Sequence, residues 1–165
     1  MSSPSLPAVT TEIEVRVSCP CEPGRLAGIL GTLRKSAGNV HAHLVYQADD
    51  GTIGRFLCEN PAEGAFALRE AGLRAETETV VTVRLPERRH TLSHLVTTLE
   101  SEGIRIAYSY ATATAEGLLV VFRTSDNSKA EDVLKTFLLR AIPYATGPLE
   151  APGASARDQP AKDSS

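Results

Sequence analysis

Between Ser18 and Leu30 the chain reads SCPCEPGRLAGIL, and two chemistries overlap there. Cys19 and Cys21 flank a proline, a compact thiol pair suited to metal or redox work. His41 and His43 follow on one face of an alternating stretch, where two imidazoles could join them. The Glu22-Pro23-Gly24 that comes next runs straight into a helical pattern. Such a turn can hold an anion, because the first N–H groups of a helix have no internal partners and sit at its positive end. Gly24 leaves the backbone unshielded, Pro23 stiffens the entry, and Glu22 can receive a cation. The plainer alternative is a tight turn packed on a neighbouring strand. His90 and His94 also stand one helical turn apart, but Arg88 and Arg89 beside them repel a cation and suit an anion or plain solvation better. No Ser/His/Asp or Cys/His constellation and no phosphate-cradling glycine loop stands out, so catalysis is not the expectation.

Composition narrows the classes. The 165 residues fit one domain or two small ones, and 42% hydrophobic with 22% charged residues is ordinary for a globular chain. A net charge of −3 offers nucleic acid no attraction, and 5% aromatics without tryptophan supply no stacking platform. No apolar run approaches membrane-spanning length, and MSSPSLPAVTTE has neither the basic start nor the apolar core of a signal peptide, so a cytoplasmic location is expected. Three cysteines, Cys19, Cys21 and Cys58, suit reduced thiols rather than a disulfide scaffold.

The elements that must position these residues follow from periodicity. Residues 1–11 read as a loose leader and 145–165 as a disordered tail, poor in apolar side chains. Between them, EIEVRVSC alternates as a strand, and Leu26, Ile29, Leu30 and Leu33 mark a helix stopped by Gly38. NVHAHLVYQ and IGRFLCE form a hairpin around Asp49-Asp50-Gly51. Asn60-Pro61 opens a second helix that ends at Ala71-Gly72, and LRAETETV follows as a strand. The order then recurs: TVRLP, a helix from Thr91 to Glu102, a hairpin turning at Glu116-Gly117, and a helix capped by Asp126 and running through Leu138. LRAIPY is left to close the sheet.

A gapless shift of 66 residues superposes the two halves. It pairs Val15 with Val81, Val17 with Val83, Pro20 with Pro86, Leu26 with Leu92, Leu33 with Leu99, Gly51 with Gly117, Phe56 with Phe122 and Leu68 with Leu134. The matches fall on turns and apolar faces, as a duplication requires. No glycine or proline linker separates the halves between Leu73 and Pro86, so two units packed as one rigid body are expected, at 12–78 and 79–144. A split unit of this element order would set its first and second strands parallel and not adjacent. That keeps Cys19 and Cys21 away from His41 and His43 unless two units meet, and no metal site is expected.

Glu22-Pro23-Gly24-Arg25-Leu26 at the first strand-to-helix turn, Gly38-Asn39-Val40 before the second strand, and the duplicated split unit together resemble the ACT domain family over about residues 12–144. Gly54-Arg55-Phe56-Leu57 ahead of the second helix is similar to tandem members. The resemblance implies an α+β fold of two ferredoxin-like βαββαβ units with helices on one face of antiparallel sheets. It implies a regulatory module that binds an amino acid and needs no cofactor. Its ligand would lie between the Glu22–Leu26 turn of one unit and the start of the second strand of another. Arg105 would serve the first turn, while Asn39 and Val40 would serve the divergent second turn at Arg88, Arg89, His90 and Thr91. With no catalytic region expected, regulation would act on a separate chain such as a biosynthetic enzyme. The open edges at Asn39–Gln47 and Arg105–Thr114 point to a homodimer or higher oligomer. Two alternatives stay open, an interaction subunit without ligand and a metal- or redox-responsive module through Cys19 and Cys21.

Overall fold

The structure is a computed structural model that describes residues 7–19, 22–49, 51–85, 91–115 and 117–141. Its elements are β1 (Ala8–Cys19), α1 (Arg25–Ser36), β2 (Val40–Ala48), β3 (Gly51–Cys58), α2 (Pro61–Glu70), β4 (Arg74–Leu85), α3 (Thr91–Ser101), β5 (Ile106–Thr114), β6 (Gly117–Thr124) and α4 (Asn127–Ala141). All six strands form one antiparallel sheet in the order β2-β3-β1-β4-β6-β5.

The 66-residue shift carries the first residue of every strand and helix in one half onto its counterpart, from Ala8 onto Arg74 to Pro61 onto Asn127. Even the bulge between Val40 and Ala42 recurs between Ile106 and Tyr108. Ile13 and Thr79 are equivalent under the shift and are also partners in the ladder between β1 and β4. A local twofold axis therefore passes between them.

That symmetry reassigns the closing strands. LRAETETV and TVRLP are not two strands but the continuous β4, and the expected boundary between residues 78 and 79 falls inside it. Its first half closes the first unit. In the second unit the closing position is taken by the first half of β1, where Ala8 pairs with Arg84 and Thr11 with Val81. Residues 8–11 therefore belong to the sheet rather than to a leader. LRAIPY does not supply this strand, since Leu139 to Ala141 continue α4. Residues 142–144, like the expected tail, lie outside the described residues.

The helices cover one face of the sheet and make two equivalent cores. Val15, Val17, Ile29, Leu33, Phe56 and Leu68 bury together in the first, and Val81, Val83, Leu95, Leu99, Phe122 and Leu134 are their counterparts in the second. The period-2 pattern of the strands and the 3.6-residue pattern of the helices bring these side chains to one layer. The opposite face is also buried, although no helix residue joins its cluster of Ala42, Leu57, Val80, Leu119 and Val121. The sheet curls until its end strands, β2 and β5, approach one another, so this face packs against itself.

Candidate functional site

The expected ligand turn leaves the upper end of β1. Gly24 is the N-cap of α1 with φ 82°, a left-handed conformation that favours glycine, and no side chain caps the helix. A Cβ at Gly24 would meet nothing within 4 Å, so its backbone geometry rather than crowding calls for glycine there. The Gly28 N–H donates to the Gly24 carbonyl at 3.0 Å. Glu22 accepts a bond from Arg25 Nε at 2.9 Å, an exposed pair of the kind that contributes little and exchanges partners readily. Leu26 is 39% exposed in the first turn, and its counterpart Leu92 is 40% exposed in α3, so both helix mouths present an apolar side chain to solvent.

Ladder registers set the candidates at different heights. The Glu22–Leu26 turn leaves β1 beyond Cys19, whereas Arg105 enters β5 level with Thr79 and Ile13, lower on the sheet, with β4 and β6 between them. Within one chain they are three strand positions apart. Arg105 is exposed, its N–H donates to Ser125 Oγ at 3.1 Å, and its guanidinium has no ion-pair partner among the described residues. Asn39, before β2 and also near the level of Ile13, donates to Glu59 Oε1 at 2.9 Å, so its amide is already engaged. Val40 is half-buried against the first core. Arg88, Arg89 and His90 of the second turn lie outside the described residues.

Among the described residues no group of three His, Cys, Asp or Glu stands close enough to hold an ion. His41 and His43 are exposed on β2, where His43 stacks on Phe56 with ring centroids 6.2 Å apart. Cys21 is outside the described residues. Burial first, and then the Glu59 charge, pushes the Cys58 thiol up to about 11, which suppresses its thiolate at neutral pH.

Sequence reasoning missed the most densely bonded polar group, which lies inside the curl. Arg55 Nη1 donates to Glu14 Oε1 at 2.9 Å, to Glu78 Oε2 at 2.7 Å and to the Tyr108 hydroxyl at 2.7 Å. Its guanidinium lies 3.9 Å over the Tyr108 ring. Glu14 is fully buried, with Tyr108 donating to one carboxylate oxygen and Tyr110 to the other at 2.9 Å. Burial opposes the charge of Arg55, but hydrogen bonds to Glu78, Tyr46 and Glu14 outweigh it and raise the pKa. Arg55 Nε is buried without a partner. Glu12, the counterpart of Glu78, is held below the usual carboxylate range. Burial works against its ionisation, but bonds from Thr82 and Arg84 prevail. The missed signal was aromatic: Tyr108 and Tyr110 alternate on the strand face that simple amphipathicity assigns to water.

With this geometry in view, comparison with known proteins is informative about family and fold. Residues 12–144 match the family described as an ACT domain pair. Protein BT0572 from Bacteroides thetaiotaomicron superposes with TM-score 0.70 at 24% identity, covering 78% of this chain and 90% of that one. The aspartokinase alpha and beta subunit structure gives 0.55 at 21%, covering 84% and 99%. The ligand-free regulatory subunit of aspartate kinase from Thermus thermophilus gives 0.55 at 16%, covering 78% and 98%. At these identities the likeness establishes the fold. Comparison with curated proteins finds no match.

Proposed function

The chain belongs to the ACT domain pair family, and from that membership we propose that it is a non-catalytic regulatory protein that binds a free amino acid. The observation that carries the reading is the mouth of α1. An uncapped helix start with glycine in the left-handed conformation leaves N–H groups open to a carboxylate, and Glu22 stands beside it to take an ammonium. The helix dipole adds roughly 0.3–1 kcal/mol to the hydrogen bonds of a carboxylate seated there. Arg105, exposed and without an ion-pair partner among the described residues, is the cation this site would use.

Because β4 and β6 separate Arg105 from the Glu22 turn within a chain, a second copy is needed to complete the site. The functional form is therefore a homo-oligomer, the dimer being the simplest. Its regulated partner is a separate chain, such as an aspartokinase-like biosynthetic enzyme, since structures of aspartokinase subunits share this fold. No described helix is long and apolar enough to cross a membrane, and the working location proposed is the cytoplasm.

Thermal-shift screening against each standard amino acid, followed by calorimetry, tests this directly. Arg105→Ala removes an exposed side chain and is expected to weaken binding about tenfold or more, the factor for a lost charged hydrogen bond. Gly24→Trp is expected to abolish it. Binding unchanged in both variants would overturn the site assignment. A screen in which no amino acid shifts the transition would favour an interaction subunit without ligand.

A further inference from the structure

The polar cluster inside the curled sheet has no copy in the other half of the molecule. Stepping 66 residues from Glu14 leads to Val80 and from Arg55 to Val121, while Tyr108 and Tyr110 correspond to Ala42 and Leu44. These four positions are thus polar along one seam and apolar along the other, while Glu78 corresponds to another glutamate, Glu12. Val80, Val121 and Ala42 pack in the cluster that fills the apolar seam. The polar seam joins β5 of the second unit to β1 and β3 of the first.

Apolar side chains would bury this seam as well, because replacing a buried ion pair by hydrophobic residues of similar volume is often neutral or stabilising. What the polar version adds is direction. The hydroxyls of Tyr108 and Tyr110 take opposite oxygens of the single Glu14 carboxylate, and Arg55 ties Glu14, Glu78 and Tyr108 to one guanidinium nitrogen. Such bonds are satisfied at one height and register of β5 only. β5 has no described backbone partner besides β6, so these side chains are its principal polar hold on the first unit.

We propose that Glu14, Arg55, Glu78, Tyr108 and Tyr110 form a latch by which the first unit holds β5, coupling whatever seats beside Arg105 to the interior of the first unit. Arg105 lies three residues before Tyr108 on the same strand entry, so a displacement at one is carried to the other. The coupling clause rests on the ligand reading above, whereas the latch does not.

Amide hydrogen exchange on the full chain without added amino acid tests the latch. The double variant Glu14→Val/Arg55→Val takes both positions to the residues of the opposite seam and removes the buried pair together, leaving Glu78, 28% exposed, to solvent. Exchange in β5 is expected to quicken about tenfold or more, the factor for one lost charge-assisted hydrogen bond, while the helix-covered cores keep their protection. Tyr108→Phe/Tyr110→Phe, which removes two hydroxyls alone, is expected to act in the same direction and decides the matter if the valine variant fails to fold. Unchanged protection of β5 in the folded variants would overturn the latch. Adding each standard amino acid in turn separates the two readings. Slowed exchange that spreads from β5 to β3 in the wild type, but stops at β5 in the variant, is the expected coupling. Spread to β3 in both overturns the coupling, and no slowing by any amino acid overturns the ligand reading alone.

Discussion

The phenols of Tyr108 and Tyr110 give the interior a pH signature. Burial, followed by the Glu14 carboxylate beside them, lifts both above their ordinary value of 10.0. The fold thus prefers the neutral phenol. Below pH 10 both folded and unfolded chains keep these protons and the contribution is fully present. Above it the unfolded chain releases them and the folded chain does not. Stability then falls by about 1.4 kcal/mol per pH unit for each tyrosine. Tyrosinate absorbance that is present in wild type and lost in Tyr108→Phe/Tyr110→Phe is expected to appear in one steep step, together with the loss of far-UV circular dichroism. A gradual titration near pH 10 with the dichroism intact would mean that these hydroxyls reach solvent. At this scale the sequence was only half legible. The alternation in EIEVRVSC puts Ile13, Val15, Val17 and Cys19 on one face, of which the last three bury in a core, but Glu14 on the other face is buried too. Period-2 patterning separates two faces without saying whether the polar one is covered, and here the curl of the sheet covers it.

Equivalent helices of the two units begin by different means. Asn60 precedes α2 and Asp126 precedes α4, and the 66-residue shift relates them. The Asp126 carboxylate accepts the Lys129 N–H at 2.9 Å, a side-chain cap three residues along. Asn60 makes no such side-chain bond, although the carbonyls of both residues accept the N–H four residues along at 3.0 Å. The helix starts where Asn-Pro placed it, but without a side-chain cap from Asn60. Asp126→Ala is expected to cost about 1 kcal/mol in chemical denaturation and Asn60→Ala a few tenths at most. Equal costs for the two would mean that the caps are not distinct. Helices and hairpins were legible because each carries its own period and stop signals. Gly51 and Gly117, at φ 139° and 134°, open the third strand of each unit at matching points after the hairpin turns. The identity of the closing strands was not legible, because pairing between Ala8 and Arg84 is a contact between distant residues that no local pattern encodes.

For the molecule as a whole, the shared strands β1 and β4 make each unit depend on the other. The duplication was visible in the sequence, and the offset of 66 holds for every strand, yet the units are interlocked rather than strung together. The second unit takes Val9, 6% exposed, into its core with Val83 and Leu134, and its fourth ladder position is filled from the chain's beginning. Thr10 and Thr82 hydroxyls meet at 2.9 Å across the same ladder. Deleting residues 1–11, which composition alone would class as a dispensable leader, removes this strand half while leaving the core of the first unit intact. Losing the burial of Val9 and several ladder bonds is expected to cost on the order of 3 kcal/mol. The loss should concentrate in the second unit, so hydrogen exchange in β6 and α4 would accelerate before that in β3 and α2. Adding a synthetic peptide of residues 1–13 in excess would then restore part of the protection by mass action. A deletion variant with the stability of the full chain would show that the first half of β1 is a passenger on the edge of β4, and the second unit would have to close itself in another way.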